Sequence, residues 1–238
     1  MDKVLEIMKM IDHSLLHPGL TDEGLREGCE LADRCHCATV CVKPYAVPLA
    51  AELLDGSDVL VGTVAGFPHG NSPTPIKIAE TLNVIEAGAQ EVDMVVNIGK
   101  VLGEDWQYVE DEVAALRDVT GERDVVLKVI FANDLLPDDT YKIRLCEICS
   151  KVKADFVKTS TGYNFVKGED GKYSYEGATD HDLRLMREHS DPEVQVKAAG
   201  GVGYLEAILR VRAIGATRIG TGHTEEILED AKAMFGDE

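Results

Sequence analysis

Aromatic residues are scarce in this sequence: 5% of 238 residues, with a single tryptophan. That shortage argues against an aromatic-rich β-sandwich. Basic residues are short too, with 24 Lys and Arg against 43 Asp and Glu, a net charge of −19. A surface of that sign repels polyanions, so neither nucleic acid nor an anionic membrane is expected as a partner. No apolar run approaches the length that spans a bilayer. The opening stretch, Met1 to Met8, lacks the long apolar core and small-residue cleavage site of a secretory signal. A cytoplasmic chain is therefore expected, with its six cysteines as free thiols. Cys35, His36 and Cys37, and the pair Cys146 and Cys149, lack the paired, loop-borne spacing of zinc ligands. No metal is expected.

What the sequence has is apolar and small: 45% hydrophobic residues and 22 glycines. That mix suits packed parallel strands of Val, Ile and Ala. From end to end, short apolar runs alternate with amphipathic helix patterns. Strands are expected around Lys9 to Asp12, Thr39 to Val42, Val59 to Val64 and Glu91 to Val96. Four more are expected at Val125 to Phe131, Phe156 to Lys158, Val194 to Ala198 and Thr217 to Gly220. A helix follows each, the first capped by Thr21 and the last running from Thr224 to Phe235. No linker or composition break divides the chain, so one domain over residues 1–238 is expected. Repeated strand–helix units in this length point to an α/β fold, a closed TIM (β/α)8 barrel. The rival is an open doubly wound sheet, but no G-x-G-x-x-G follows the first strand. A barrel puts the active site at the C-terminal ends of its strands.

Charged residues interrupt those apolar strands. Lys158 and Lys197 each end a short strand pattern and precede small or hydroxyl residues. Asp93 and Lys128 break two earlier strands. If the neighbouring Val and Leu side chains face the helices, all four point into the barrel. The plain reading is a structural ion pair. Three lysines to one acid leaves an excess of +2, which suggests a chemical use instead. A desolvated lysine beside a second cation loses its proton readily and attacks carbonyls.

Five stretches carry a resemblance to the 2-deoxyribose-5-phosphate aldolase family. They are Asp155-Phe-Val-Lys-Thr-Ser-Thr-Gly162, Glu91-Val-Asp-Met-Val95, Val196-Lys-Ala-Ala-Gly-Gly201, Ile11-Asp-His-Ser-Leu-Leu16 and Gly66-Phe-Pro-His-Gly-Asn71. The resemblance runs from about Ile11 to Gly220. It implies a metal-independent, cofactor-free lyase that cleaves 2-deoxy-D-ribose 5-phosphate reversibly to acetaldehyde and D-glyceraldehyde 3-phosphate. Lys158 would form the Schiff base, Lys197 would lower its proton affinity, and Asp93 would move protons through a bound water. At about 4 Å and an effective dielectric of about 20, two ammonium groups repel by roughly 4 kcal/mol. Asp12 and Lys128 would complete the polar network on the substrate side. Cys41 matches a family pocket position, although a buried thiol is ordinary there. Partners would be a small aldehyde and a sugar phosphate, with a homodimer expected by analogy.

The resemblance thins at the phosphate end. The family usually reads Gly-Gly-hydrophobic-Arg after the seventh strand; here Gly203 stands in the arginine's place. After the eighth strand it usually carries serines; here the run is Gly220-Thr-Gly-His-Thr224. The expected cradle is therefore Thr161 and Gly162 with backbone amides of Gly200, Gly201, Gly220 and Gly222. Thr221, His223 and Thr224 would add side-chain hydrogen bonds. The loop from Tyr163 to Gly177, carrying Lys167 and Lys172, reads as a surface loop or as a lid over the substrate tail. Two other functions fit the same residues. One is a Schiff-base aldolase for a different or unphosphorylated acceptor. The other is a barrel that binds a sugar phosphate without chemistry.

Overall fold

A computed structural model describes residues 2–168 and 170–236. The expected domain bounds, residues 1 and 238, lie outside the described residues. The barrel strands are β1 (Ile11–Leu15), β2 (Thr39–Val42), β3 (Leu60–Ala65), β4 (Glu91–Val95), β5 (Val126–Ile130) and β6 (Phe156–Lys158). A two-stranded hairpin, β7 (Val166–Lys167) and β8 (Tyr173–Ser174), comes next. β9 (Gln195–Ala199) and β10 (Ala216–Thr221) then complete the barrel. All barrel pairings are parallel, and β10 closes on β1. The helices α1 (Lys3–Met8), α2 (Asp22–Arg34), α3 (Val47–Leu53), α4 (Thr74–Glu86) and α5 (Ile98–Leu102) surround the first half. The second half is covered by α6 (Trp106–Gly121), α7 (Asp139–Val152), α8 (Asp180–His189), α9 (Leu205–Ile214) and α10 (Thr224–Phe235). No described helix is long and apolar enough to cross a membrane.

Strand alternation sorts the side chains. Val92, Met94, Leu127, Val129, Val157, Val196 and Ala198 pack outward in the large core shared with the helices. Their neighbours Asp93, Lys128, Lys158 and Lys197 therefore point inward. The register sets Asp93 beside Lys128, and Lys158 beside Lys197. Outside the barrel, a second buried ion pair clamps the end of β4. Lys77 of α4 donates to Glu112 of α6 at 2.8 Å and to the Val95 carbonyl at 2.7 Å. The other Glu112 oxygen accepts the Asn97 amide at 3.0 Å. The clamp satisfies groups that burial would otherwise leave unpaired, and it fixes the strand that carries Asp93.

Three expectations need correction. The first strand begins at Ile11, not near Lys9, because Asp2 caps a short helix, α1, over the preceding residues. Lys9 ends that helix and donates to the carbonyls of Cys37 and Asp58. Lys197 is the third residue of its strand rather than the last, because Ala198 and Ala199 go on pairing with Ile219 and Gly220. Thr224 turns away from the barrel mouth. It is fully buried, and its hydroxyl meets His13 Nδ1 at 2.8 Å.

His13 gives a stability prediction. Burial pushes its pKa down from the ordinary 6.5 to about 4. Between those values the unfolded chain binds a proton that the folded chain refuses. The stability His13 confers is thus complete above pH 6.5 and lost as pH falls toward 4. Between pH 7 and pH 5 the wild type should lose about 2 kcal/mol more than His13→Gln. Urea unfolding of both proteins at the two pH values checks this; equal losses would refute it.

Candidate active site

Seven charged side chains meet inside the barrel. Lys158 ends β6 and donates from Nζ to Asp93 Oδ2 at 2.6 Å. Lys197 donates to the same oxygen at 2.7 Å and also to Asp12 Oδ2. One carboxylate oxygen thus holds both amines within a few ångströms of each other. Lys128 donates to Asp93 Oδ1 at 2.9 Å and to Glu91, and lies 3.3 Å from Asp12. Arg218 of β10 reaches Asp12 at 2.6 Å and Glu91 at 3.0 Å.

Glu91 and Arg218 were not anticipated. Both signals were present: Glu91 stands two residues before Asp93, on the same strand face, and Arg218 two before Gly220. Their charges cancel each other, and Asp12 lowers the excess. Asp12, Glu91 and Asp93 face Lys128, Lys158, Lys197 and Arg218, so it falls from +2 to +1. One neutral amine would balance the cluster. Its identity is set by the surroundings. Burial pushes Lys158 below the ordinary lysine range, Lys197 pushes the same way, and Asp93 opposes them. For the other three cations burial also disfavours the charge, but the carboxylates outweigh it. Lys128 is held well above its usual range by Asp12, Asp93 and Glu91. Lys197 is raised by Asp12 and Asp93, and Arg218 by Asp12 and Glu91. Burial would raise the Asp93 carboxyl, yet Lys128, Lys158 and Lys197 together hold it well below the carboxylate range. For Lys158, desolvation is thus the largest influence, Asp93 opposes it, and Lys197 adds a smaller downward push.

Above the cluster, a cavity of about 550 Å³ opens at the C-terminal ends of the strands. Lys158, Lys197 and Asp12 line its floor side. Thr161, Gly162, Gly200 and Gly201 line it as well. So do Gly220, Thr221, Gly222 and His223, which lead into α10. Gly200 and Gly201 have φ of 94° and 74°, the left-handed region that only glycine enters easily. Asp93 and Lys128 are not in the wall; they act on the cavity through the two lysines that are. Cys41 is in the wall, its thiol pushed up to about 11 by burial. Lys167 and Lys172 do not line it. Their loop instead forms the β7–β8 hairpin and sends in Tyr175, which the sequence reading overlooked.

The six cysteines are buried free thiols. Among the described residues the one close set of metal-type ligand atoms is Asp139, His181 and Asp182. It lies outside the barrel, and the Lys142 ammonium already pairs with both of its carboxylates.

The family model for DeoC/LacD family aldolases matches residues 6–221. That span holds the whole charged cluster and the cavity loops as far as Thr221. The chain belongs to the DeoC/LacD aldolase family. It is 47% identical to a deoxyribose-phosphate aldolase of Rhodopirellula baltica, over 97% of this chain and 91% of that one. It is 40% identical to a deoxyribose-phosphate aldolase of Thermococcus kodakarensis, over 95% of this chain and 97% of that one. Among solved structures, the tetrameric deoxyribose phosphate aldolase from Aeropyrum pernix superimposes with a TM-score of 0.85 at 27% identity. The match covers 97% of this chain and 92% of that one. As a member of this family the chain is a lyase of the aldolase type, and its barrel is the family's fold.

Proposed function

We propose that this aldolase cleaves 2-deoxy-D-ribose 5-phosphate reversibly to acetaldehyde and D-glyceraldehyde 3-phosphate, with Lys158 as its Schiff-base nucleophile. The observation that carries the reading is the contrast among the four barrel cations. Lys158, at the cavity, is the one whose proton affinity falls. Relatives named deoxyribose-phosphate aldolase supply the substrate class.

The reaction follows from the geometry. The free amine of Lys158 adds to the C1 aldehyde of the open-chain sugar, and loss of water gives an iminium ion. That cation takes the place of an ammonium, and Asp93, ionised, sits where it stabilises the charge. The C3 hydroxyl gives up its proton and the C2–C3 bond breaks. Its electron pair flows into the iminium as an enamine, and the aldehyde bearing the phosphate departs. Protonation of the enamine at C2 and addition of water release acetaldehyde and restore the amine. Asp93, behind the cavity wall but bonded to Lys158 Nζ, serves these proton transfers through a water, and Lys197 keeps Lys158 neutral between turnovers. Lys128 and Asp12 hold Asp93 and Lys197 in place. The single domain works on small molecules in the cytoplasm.

The phosphate end is the weaker half of the site, since no arginine among the described residues lines the cavity. The space where an arginine at position 203 would start is taken by His223: a Cβ on Gly203 would meet its Cδ2 at 3.0 Å. The His223 side chain is 65% exposed and can swing aside. Backbone amides hold a dianion less firmly than amides with a guanidinium. The phosphorylated sugar should still be preferred over 2-deoxyribose, and Gly203→Arg should widen the margin about tenfold. The measurement is the ratio of kcat/KM for the two sugars in both proteins. A ratio near one in each would mean an aldolase for unphosphorylated acceptors.

A further inference from the structure

A buried phenol oxygen points at the glycine loops of the cavity and has no hydrogen-bond partner among the described residues. Tyr175 lies just after β8, in the loop that follows β6. Its oxygen has no hydrogen-bond partner among the described residues, although it is shielded from solvent. The Ser160 hydroxyl is near enough to ease its ionisation slightly. Its geometry toward the phenol makes no bond, however, and it donates instead to Asp134 at 3.1 Å. A buried hydroxyl without a partner is costly, so such a group calls for an explanation.

Its position supplies one. A Cβ on Gly200 would fall 1.8 Å from the phenol oxygen, and one on Gly162 would fall 3.9 Å from it. The oxygen therefore stands between the loop after β6 and the loop after β9, where both rim the cavity. The tyrosine is pinned there. Asp134 accepts the Glu176 and Gly177 amides at 2.7 and 3.0 Å. Ala178 donates its amide to the Gly200 carbonyl at 3.1 Å. This close approach leaves no room for a side chain at Gly177, where a Cβ would lie 2.7 Å from that carbonyl oxygen. The Phe165 ring packs against Tyr175 at 5.7 Å between centroids. Burial, helped by the Asp134 charge, pushes the phenol up to about 12. At neutral pH it keeps its proton and serves as a donor. The two lysines in the cavity wall are committed to Asp93. An anion at the glycine loops thus meets amides, hydroxyls, the His223 ring and this phenol.

On the aldolase reading above, we propose that the Tyr175 hydroxyl donates a hydrogen bond to the substrate phosphate and so sets the preference for the phosphorylated sugar. It would do part of the work that Gly203 leaves undone.

Tyr175→Phe removes the one oxygen and keeps the ring against Phe165. For 2-deoxyribose 5-phosphate, kcat/KM should fall about tenfold or more, mainly through KM. For 2-deoxyribose it should stay unchanged. Inorganic phosphate, as a competitive inhibitor, should bind the variant more weakly by a similar factor. An equal fall for both sugars would place the hydroxyl at the carbonyl end, and no fall would leave it without a role; either overturns the proposal. The parent reading is judged separately, by borohydride trapping of acetaldehyde on wild-type protein. No adduct there would sink the aldolase mechanism. An adduct together with an unaffected phenylalanine variant would sink only the tyrosine's role.

Discussion

Borohydride added together with acetaldehyde is expected to fix a two-carbon group on Lys158, and Lys158→Met is expected to lose cleavage activity by about 10⁴-fold or more. Both follow from the charge balance in the barrel. The amine that gives up its proton most readily is present as the free base, and only the free base adds to an aldehyde. Borohydride then reduces the imine to a stable secondary amine. Methionine is close to lysine in volume and carries no charge. It leaves three carboxylates facing Lys128, Lys197 and Arg218, a balanced set. The variant should therefore keep its fold, and its loss of activity can be read as loss of the nucleophile. Intact mass followed by peptide mapping finds the adduct, and a coupled assay for the released aldehyde follows the variant. An adduct mapped to Lys128 or Lys197, or turnover that survives in Lys158→Met, would end the assignment.

Lys197→Leu should be nearly as damaging for a different reason. Lys197 pairs with Asp12 and Asp93 and adds to the forces that keep Lys158 unprotonated. Without it, Asp12, Glu91 and Asp93 face Lys128, Arg218 and Lys158. Balance now calls for Lys158 to be an ammonium, and its proton affinity rises. Because the amine must be free to react, the rising limb of the rate-versus-pH profile moves to higher pH. At pH 7 turnover should fall about a hundredfold or more, with partial recovery as pH is raised. Removing one partner from a buried ionic network also destabilises the fold, so circular dichroism must first show a folded variant. A folded variant whose rising limb stays at the wild-type pH would mean that burial alone tunes Lys158.

The two lysines were legible because strand alternation is a local property. A charge next to an outward apolar side chain has one direction left to point, and β4, β5, β6 and β9 each showed it. The family resemblance was legible for a similar reason, since its motifs are contiguous runs at strand ends. Glu91 and Arg218 obeyed the same alternation and were passed over, because nothing near them in the chain marks them as partners. Arg218 meets Asp12 across 206 positions, a contact that exists only once β10 closes on β1. Tyr175 lacked even alternation as a guide. Its loop has no long-range period, and the phenol is fixed by Asp134 and by the backbone at Gly200.

The sequence alone determined the (β/α)8 architecture, the inward face of each charged strand residue and the run of glycines at the strand ends, because periods of two and 3.6 residues and left-handed turns are set by near neighbours. Barrel closure decided the rest. It chose which of four barrel cations is easiest to deprotonate, set Asp93 among three amines, turned Thr224 toward His13, and brought a tyrosine from a surface hairpin to the glycine loops. Proton affinity and ligand contact depend on distances through space, and in a parallel barrel those distances are fixed only when the last strand meets the first.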